Sequence, residues 1–247
     1  MVPALDIERL GKSYRAGIAG CYAAVRALAD VSLLARPGEV VGVYGGDGAG
    51  KSTLLLCAAA ALRPDSGEVR WFGAPAVAGE RAARGVGFVA DCPDDHAFLT
   101  AWQSLEHAAA RARRQHDVRP LLRRTTLVHE PRCRVRDLPT GARRELAVAH
   151  ALLARPRLLL VDGPFDGVGA AWATSLALLL RAAAADGVAC VVTASDYDAL
   201  RPVADRVVTL AEGHLPAAGC RVAAAAQGTW WRIPGVADDA ARVAEAR

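Results

Sequence analysis

The sequence predicts an α/β fold: a largely parallel sheet flanked by helices, opening on an antiparallel N-terminal β subdomain and interrupted by an inserted α-helical lobe. Three observations carry that expectation. The loop Gly45-Gly46-Asp47-Gly48-Ala49-Gly50-Lys51-Ser52 fits G-x-x-x-x-G-K-[ST] at every fixed position, between an apolar strand at 40–44 and an apolar helix from Thr53 to Ala60. Fully apolar stretches return at 158–162, 187–193 and 206–210, with helical sequence at 171–185 between the first two. Strands that are apolar on both faces belong to parallel sheets covered by helices. Between these halves, residues 101–155 are rich in arginine, poor in β-branched runs and helical in pattern.

Each element follows from local sequence. Residues 4–10 and 31–35 alternate as strands do, and Pro37-Gly38-Glu39 is a turn feeding the 40–44 strand. The phosphate loop comes next. Its glycines let backbone N–H groups turn inward around a polyphosphate, Lys51 reaches the β- and γ-phosphates, and the Ser52 hydroxyl ligates Mg²⁺. The loop opens a helix, whose N-terminus favours anions. Nucleotide binding on a P-loop NTPase core is therefore the expectation. Residues 66–73 read as turn, short strand, turn, and 85–90 as another strand. The core is expected over 1–220, with the helical lobe inserted at about 91–155 and a tail at 221–247.

Composition sets broad bounds. The chain has 247 residues, 53% hydrophobic and 23% charged, enough for a sizeable core, although much of the apolar share is alanine. A net charge of +4 is too mild to demand a nucleic-acid partner, and none is expected. The six cysteines are scattered without a C-x-x-C pair, which points to a reducing compartment rather than a disulfide framework or zinc site. The N-terminus lacks the pattern of a signal peptide, and no apolar run approaches the ~20 residues of a membrane-spanning helix.

Further landmarks appear in a fixed order. Tyr14 follows the first strand; Leu99-Thr100 and Leu105 follow the strand at 86–90; Leu138-Pro139-Thr140-Gly141-Ala142-Arg143-Arg144 precedes a helix Leu146–Leu153 and Arg155-Pro156. Then come Leu158 to Asp162, Asp205-Arg206-Val207 and Gly213. In this order the chain resembles the nucleotide-binding domain of ATP-binding cassette (ABC) transporters over roughly residues 4–219. The resemblance implies ATP and Mg²⁺ as ligands. It makes Tyr14 the adenine platform, Gly45 to Ser52 and Thr53 the phosphate site, and Asp162, with Ser52, the magnesium site. Leu138, Thr140 and Gly141 stand in the signature segment that faces a partner's ATP across a dimer.

The same resemblance shows where this chain departs. The family's water-polarising glutamate follows the Walker B aspartate, but Gly163 follows Asp162 here. A positioned base contributes ~10²–10⁴ in rate, so this loss alone would nearly silence turnover. Counting back ten residues from Asp205 places Ser195 at the switch histidine, and serine carries no charge at neutral pH. Asp91 stands where the family has a glutamine that senses Mg²⁺ and water; a carboxylate there could bind Mg²⁺. Gly169 ends the segment Asp166-Gly167-Val168-Gly169, where the family has aspartate. In the signature, Pro139 replaces a serine and removes both its hydroxyl and N–H donors.

The implied function is an ATP-binding subunit of a transporter, working with a membrane-spanning permease at the inner face of the membrane, with impaired or absent hydrolysis. A heterodimer with a competent second cassette is the more sensible assembly, because a homodimer would lack glutamate and histidine at both sites. Two alternatives stay open: a slow homodimeric ATPase in which Asp91 or Asp166 orients the water, and a nucleotide-gated regulatory protein outside transport. A small-molecule kinase shares the phosphate loop but leaves the 142–154 helix without a role. Arg111, Arg113 and Arg114 read as a solvated face or a permease contact, and Trp230-Trp231 as packing or a partner contact. Residues 16–24 read as an insertion able to displace Tyr14.

Overall fold

The computed structural model describes residues 2–18, 21–90, 97–111, 118–129, 132–215 and 220–221. The chain opens with a long hairpin, β1 (Leu5–Ile18) and β2 (Cys21–Ala35), followed by β3 (Val40–Tyr44) and α1 (Lys51–Ala58). Next come β4 (Ser66–Trp71), β5 (Ala74–Pro75) and β6 (Val86–Val89). The helical region holds α2 (Ala101–Arg111), α3 (Arg119–Leu122), 3₁₀ turns at Thr126–His129 and Val135–Asp137, and α4 (Thr140–Leu153). The chain closes with β7 (Leu158–Val161), α5 (Ala170–Ala185), β8 (Ala189–Ala194), α6 (Tyr197–Leu200), β9 (Arg206–Thr209) and β10 (Cys220–Arg221).

Two sheets form. An antiparallel sheet has the order β2-β1-β4-β5, and a second has the order β10-β9-β3-β8-β7-β6. Every pairing from β9 to β6 is parallel; only β10 runs antiparallel to its neighbour. The expected parallel core and antiparallel N-terminal sheet are therefore both present. Period-two alternation sorts β7 and β8 between two cores. Leu158, Leu160, Ala189 and Val191 face the antiparallel sheet, with Leu5, Ile7, Leu54 and Trp71. Leu159, Val161, Cys190 and Val192 face α5 and α4, with Leu176, Leu180 and Val148. Both faces are dry, which is why these strands read as unbroken apolar runs.

Several boundaries differ from the sequence expectation for identifiable reasons. The helix after the phosphate loop stops at Ala58, short of Ala60, where the Trp71 indole N–H donates to the Ala58 carbonyl at 2.8 Å. In the 16–24 segment, residues 16–18 and 21–24 extend the first hairpin: Tyr14 pairs with Val25, Ala16 with Ala23 and Ile18 with Cys21. Alternation along β1 slips after Ile7, where Arg9 turns to φ 47 and its N–H donates to Ser32 Oγ at 2.9 Å. That bulge returns Leu10 to the core side.

Residues 101–155 are less continuously helical than their pattern suggests. After α3, Thr125 Oγ1 donates back to the Leu122 carbonyl at 2.8 Å, and the Thr126 N–H donates to the Glu145 carboxylate at 3.1 Å. Side-chain competition of this kind ends a helix. Glu145, fully buried on α4, also accepts from Thr126 Oγ1 at 2.6 Å and from Ser175 Oγ on α5. The lobe has its own core of Leu105, Leu122, Leu127, Leu138, Leu146 and Leu153, and α4 sends Val148 and Ala147 into the main core. One helix thus serves two cores, and Glu145 pins the lobe to α5.

Candidate functional site

The phosphate loop leaves the central strand β3 and enters α1 at Lys51. Gly50 caps that helix with φ +101, and a Cβ there would stand 2.3 Å from the Ala27 carbonyl oxygen, so the position accepts only glycine. β2 therefore clamps the loop from behind. Lys51 is nearly buried, at 9% exposure. Its ammonium donates to the Gly45 carbonyl at 2.6 Å, the Gly46 carbonyl at 2.9 Å and Ser195 Oγ at 3.1 Å. Ser52 is exposed at the first turn, and Thr53 Oγ1 lies 3.3 Å from the Tyr14 hydroxyl. Tyr14, expected to follow the first strand, lies within β1 instead, with 40% exposure.

Asp162 follows β7, and its N–H donates to the Val89 carbonyl at 2.9 Å. The buried Thr193 at the end of β8 organises this corner. Its hydroxyl donates to Asp162 Oδ1 at 2.6 Å and accepts the Gly163 N–H at 2.8 Å. Asp162 is thus oriented by a neighbouring strand, with a second oxygen left for other contacts. An exposed hydroxyl at Ser52 and one oriented carboxylate at Asp162 suit Mg²⁺, which takes one or two protein ligands and completes its shell with phosphate oxygens and water. Among the described residues no cluster of three or more His, Cys, Asp or Glu could hold a metal without a nucleotide.

Gly163 sits at φ +52, and the space a Cβ would fill there is taken: Asp166 Oδ2 lies 2.6 Å from it. Asp166 Oδ1 accepts the Ser195 N–H at 3.2 Å. Ser195 Oγ, besides accepting from Lys51, donates to Asp47 Oδ1 at 3.3 Å. The loop, β8 and the turn after β7 are joined in one polar network. Arg144 on α4 closes it from below, donating through Nη1 to the carbonyls of Gly163, at 2.6 Å, and Asp166.

The structure brings together Asp47, Lys51, Asp166 and Ser195, with Asp162 joined through Thr193 and Gly163. Asp91 lies outside the described residues, as do Arg113, Arg114, Trp230 and Trp231. The signature residues divide. Leu138 is buried in the lobe core, Gly141 is covered by the Trp172 indole of α5, and Thr140 is exposed at the start of α4 behind Pro139. Sequence reasoning missed Thr193, Arg144 and Trp172. A threonine ending an otherwise apolar strand was a signal for the first, and the paired arginines after Gly141 were a signal for the second.

Comparison with known proteins agrees with this geometry. The family model for the ABC transporter matches residues 28–166. The cobalt import ATP-binding protein CbiO of Rhodobacter capsulatus is 33% identical over 243 residues, covering 90% of this chain and 81% of that protein. A putative ABC transporter ATP-binding protein of Streptomyces avermitilis is 38% identical over 199 residues, covering 79% of this chain but 36% of that protein. The chain spans about a third of the length of that relative and of a second one from Streptomyces coelicolor, where the share is 35%. Among solved structures, cbiO1 from Clostridium perfringens aligns with a TM-score of 0.72 at 23% identity, covering 87% of each chain. The ATP-binding cassette MJ0796, in a dimeric post-hydrolysis state bound to ADP and Pi, aligns with a TM-score of 0.72 at 21% identity, covering 91% of this chain and 100% of that one. These two likenesses concern the fold.

Proposed function

Since the chain belongs to the ABC transporter family by its ATP-binding domain, we propose that it is a subunit that grips Mg-ATP and couples that binding to a membrane-spanning permease, with hydrolysis impaired. One contrast carries the reading. The gripping side is built and held in place, with Lys51 at the mouth of a glycine-shaped loop, while position 163 offers no side chain and position 195 no imidazole. Backbone N–H groups of Gly45 to Ser52 and the start of α1 cradle the phosphates, Lys51 neutralises their charge, Thr53 extends the cradle, and Tyr14 stacks on the base. Ser52 and Asp162 would hold Mg²⁺, which when bound would neutralise charge on the phosphate oxygens.

The permease places the chain at the inner face of the membrane; among the described residues no helix is long and apolar enough to cross a membrane. A dimer with a catalytically competent second cassette fits better than a homodimer, because the exposed signature residue Thr140 lies behind a proline with no N–H to give.

Equilibrium ATP binding and steady-state turnover, measured on one sample, test the proposal. Micromolar-to-millimolar ATP binding is expected, with kcat at least about 100-fold below that of a glutamate-containing cassette assayed alongside. Turnover at that cassette's rate would remove the claim of impairment.

A further inference from the structure

We propose that Asp166 is the carboxylate that orients water for whatever hydrolysis this site retains, occupying the room that the side chain of residue 163 would otherwise need. The inference rests on the ATP-binding reading of the loop and names the group that acts there.

The geometry points to Asp166 in three steps. First, the carboxylate borders residue 163. Its Oδ2 is 2.6 Å from where a Cβ on Gly163 would begin, so it stands at the root of the missing side chain. Second, it is held there. Oδ1 accepts the Ser195 N–H at 3.2 Å, and Arg144 grips the carbonyls of both Gly163 and Asp166 from α4. The Asp166 N–H donates to the Gly163 carbonyl at 3.3 Å, closing a tight turn between them. Third, it belongs to the same network as the phosphate-binding cation. The residue that supplies the Ser195 N–H to Asp166 also accepts Lys51 Nζ at 3.1 Å through its hydroxyl. Asp166 is half-buried, so water reaches it.

The chemistry asked of it is modest. Asp166 accepts a hydrogen bond from a water molecule facing the γ-phosphorus. As the new bond from water oxygen to phosphorus forms, the bond from phosphorus to the bridging oxygen breaks, leaving ADP and inorganic phosphate. The water proton passes to the carboxylate and from there to solvent. An aspartate reaches less far than a glutamate and enters from three residues further along, so turnover is slow.

A structural role alone would have Asp166 cap the turn without touching the rate. Two variants separate the roles. Asp166→Asn keeps an oxygen for the Ser195 N–H and removes basicity; Asp166→Ala removes both. For the full-length chain, kcat is expected to fall about 10-fold or more in both variants, while ATP Kd stays within about three-fold.

A readout without nucleotide checks the placement. Gly163→Ala should lower Tm more in the wild-type background than in the Asp166→Ala background, by about 2 °C or more. Wild-type kcat in Asp166→Asn, no measurable wild-type turnover, or equal Tm losses in the two backgrounds would each overturn the inference while leaving ATP binding intact. A chain that fails to bind ATP overturns the binding reading itself.

Discussion

Lys51 Nζ stands 3.1 Å from Ser195 Oγ, so the loop lysine is held from across the site by the residue that follows β8. Two loop carbonyls complete its set of acceptors. The ammonium is therefore positioned before any phosphate arrives, and its role divides from that of its holder. Lys51→Ala is expected to weaken ATP binding by about 100-fold, the scale of losing charge-assisted hydrogen bonds to phosphate. Ser195→Ala removes one acceptor of three and should change ATP affinity by less than about five-fold. Isothermal titration of both variants checks the ranking; equal losses would mean that Ser195 itself meets the nucleotide.

The phosphate loop is shaped by β2 as much as by its own glycines. Gly50→Ala forces a Cβ onto the Ala27 carbonyl at a φ that L-residues rarely adopt. A loss of about 3 kcal/mol in unfolding free energy is expected from strain and close contact together. Urea denaturation of the nucleotide-free chain measures it directly.

Glu145 makes a sharper stability test, because three donors converge on it: the Thr126 N–H, the Thr126 hydroxyl and the Ser175 hydroxyl. Removing the acceptor leaves half-buried donors unsatisfied. Glu145→Ala should cost about 3 kcal/mol, and Glu145→Gln about half of that, since one oxygen still accepts. The denaturation midpoint reads the order. A neutral Glu145→Ala would mean that the lobe is not pinned to α5 through this residue.

Burial pushes two thiols out of the ordinary range: Cys57 to about 11 and Cys190 to about 12, from 9.0. Desolvation is the leading cause in both. The folded chain therefore holds these protons more tightly than the unfolded chain does. The stability this contributes is fully present below pH 9 and is lost as pH rises toward 11–12. Both thiols should resist a disulfide reagent at pH 8 until denaturant is added. Tm should fall between pH 9 and 11, and the Cys57→Ala/Cys190→Ala double variant should fall less steeply.

The parallel core was legible because its strands are apolar on both faces and its phosphate loop permits few sequences. Leu158 to Val161 and Val40 to Val43 announce a buried sheet from composition alone. The helical region was less legible. Thr125 and Thr126 break a helical pattern through bonds to Leu122 and to a glutamate nineteen residues away, and no local periodicity encodes that second partner. In the site, Lys51 and Asp162 follow from motif chemistry, whereas Thr193 and Arg144 act through contacts between distant segments. Gly163 looked like a simple loss in the sequence. Its positive φ and the carboxylate beside it exist only in three dimensions.

That neighbour bears on which side chains residue 163 can accept. A glutamate restored at residue 163 would need room already taken by Asp166, on a backbone turned to suit glycine. Such a change requires the Asp166 side chain to swing aside and residue 163 to hold or leave a left-handed backbone.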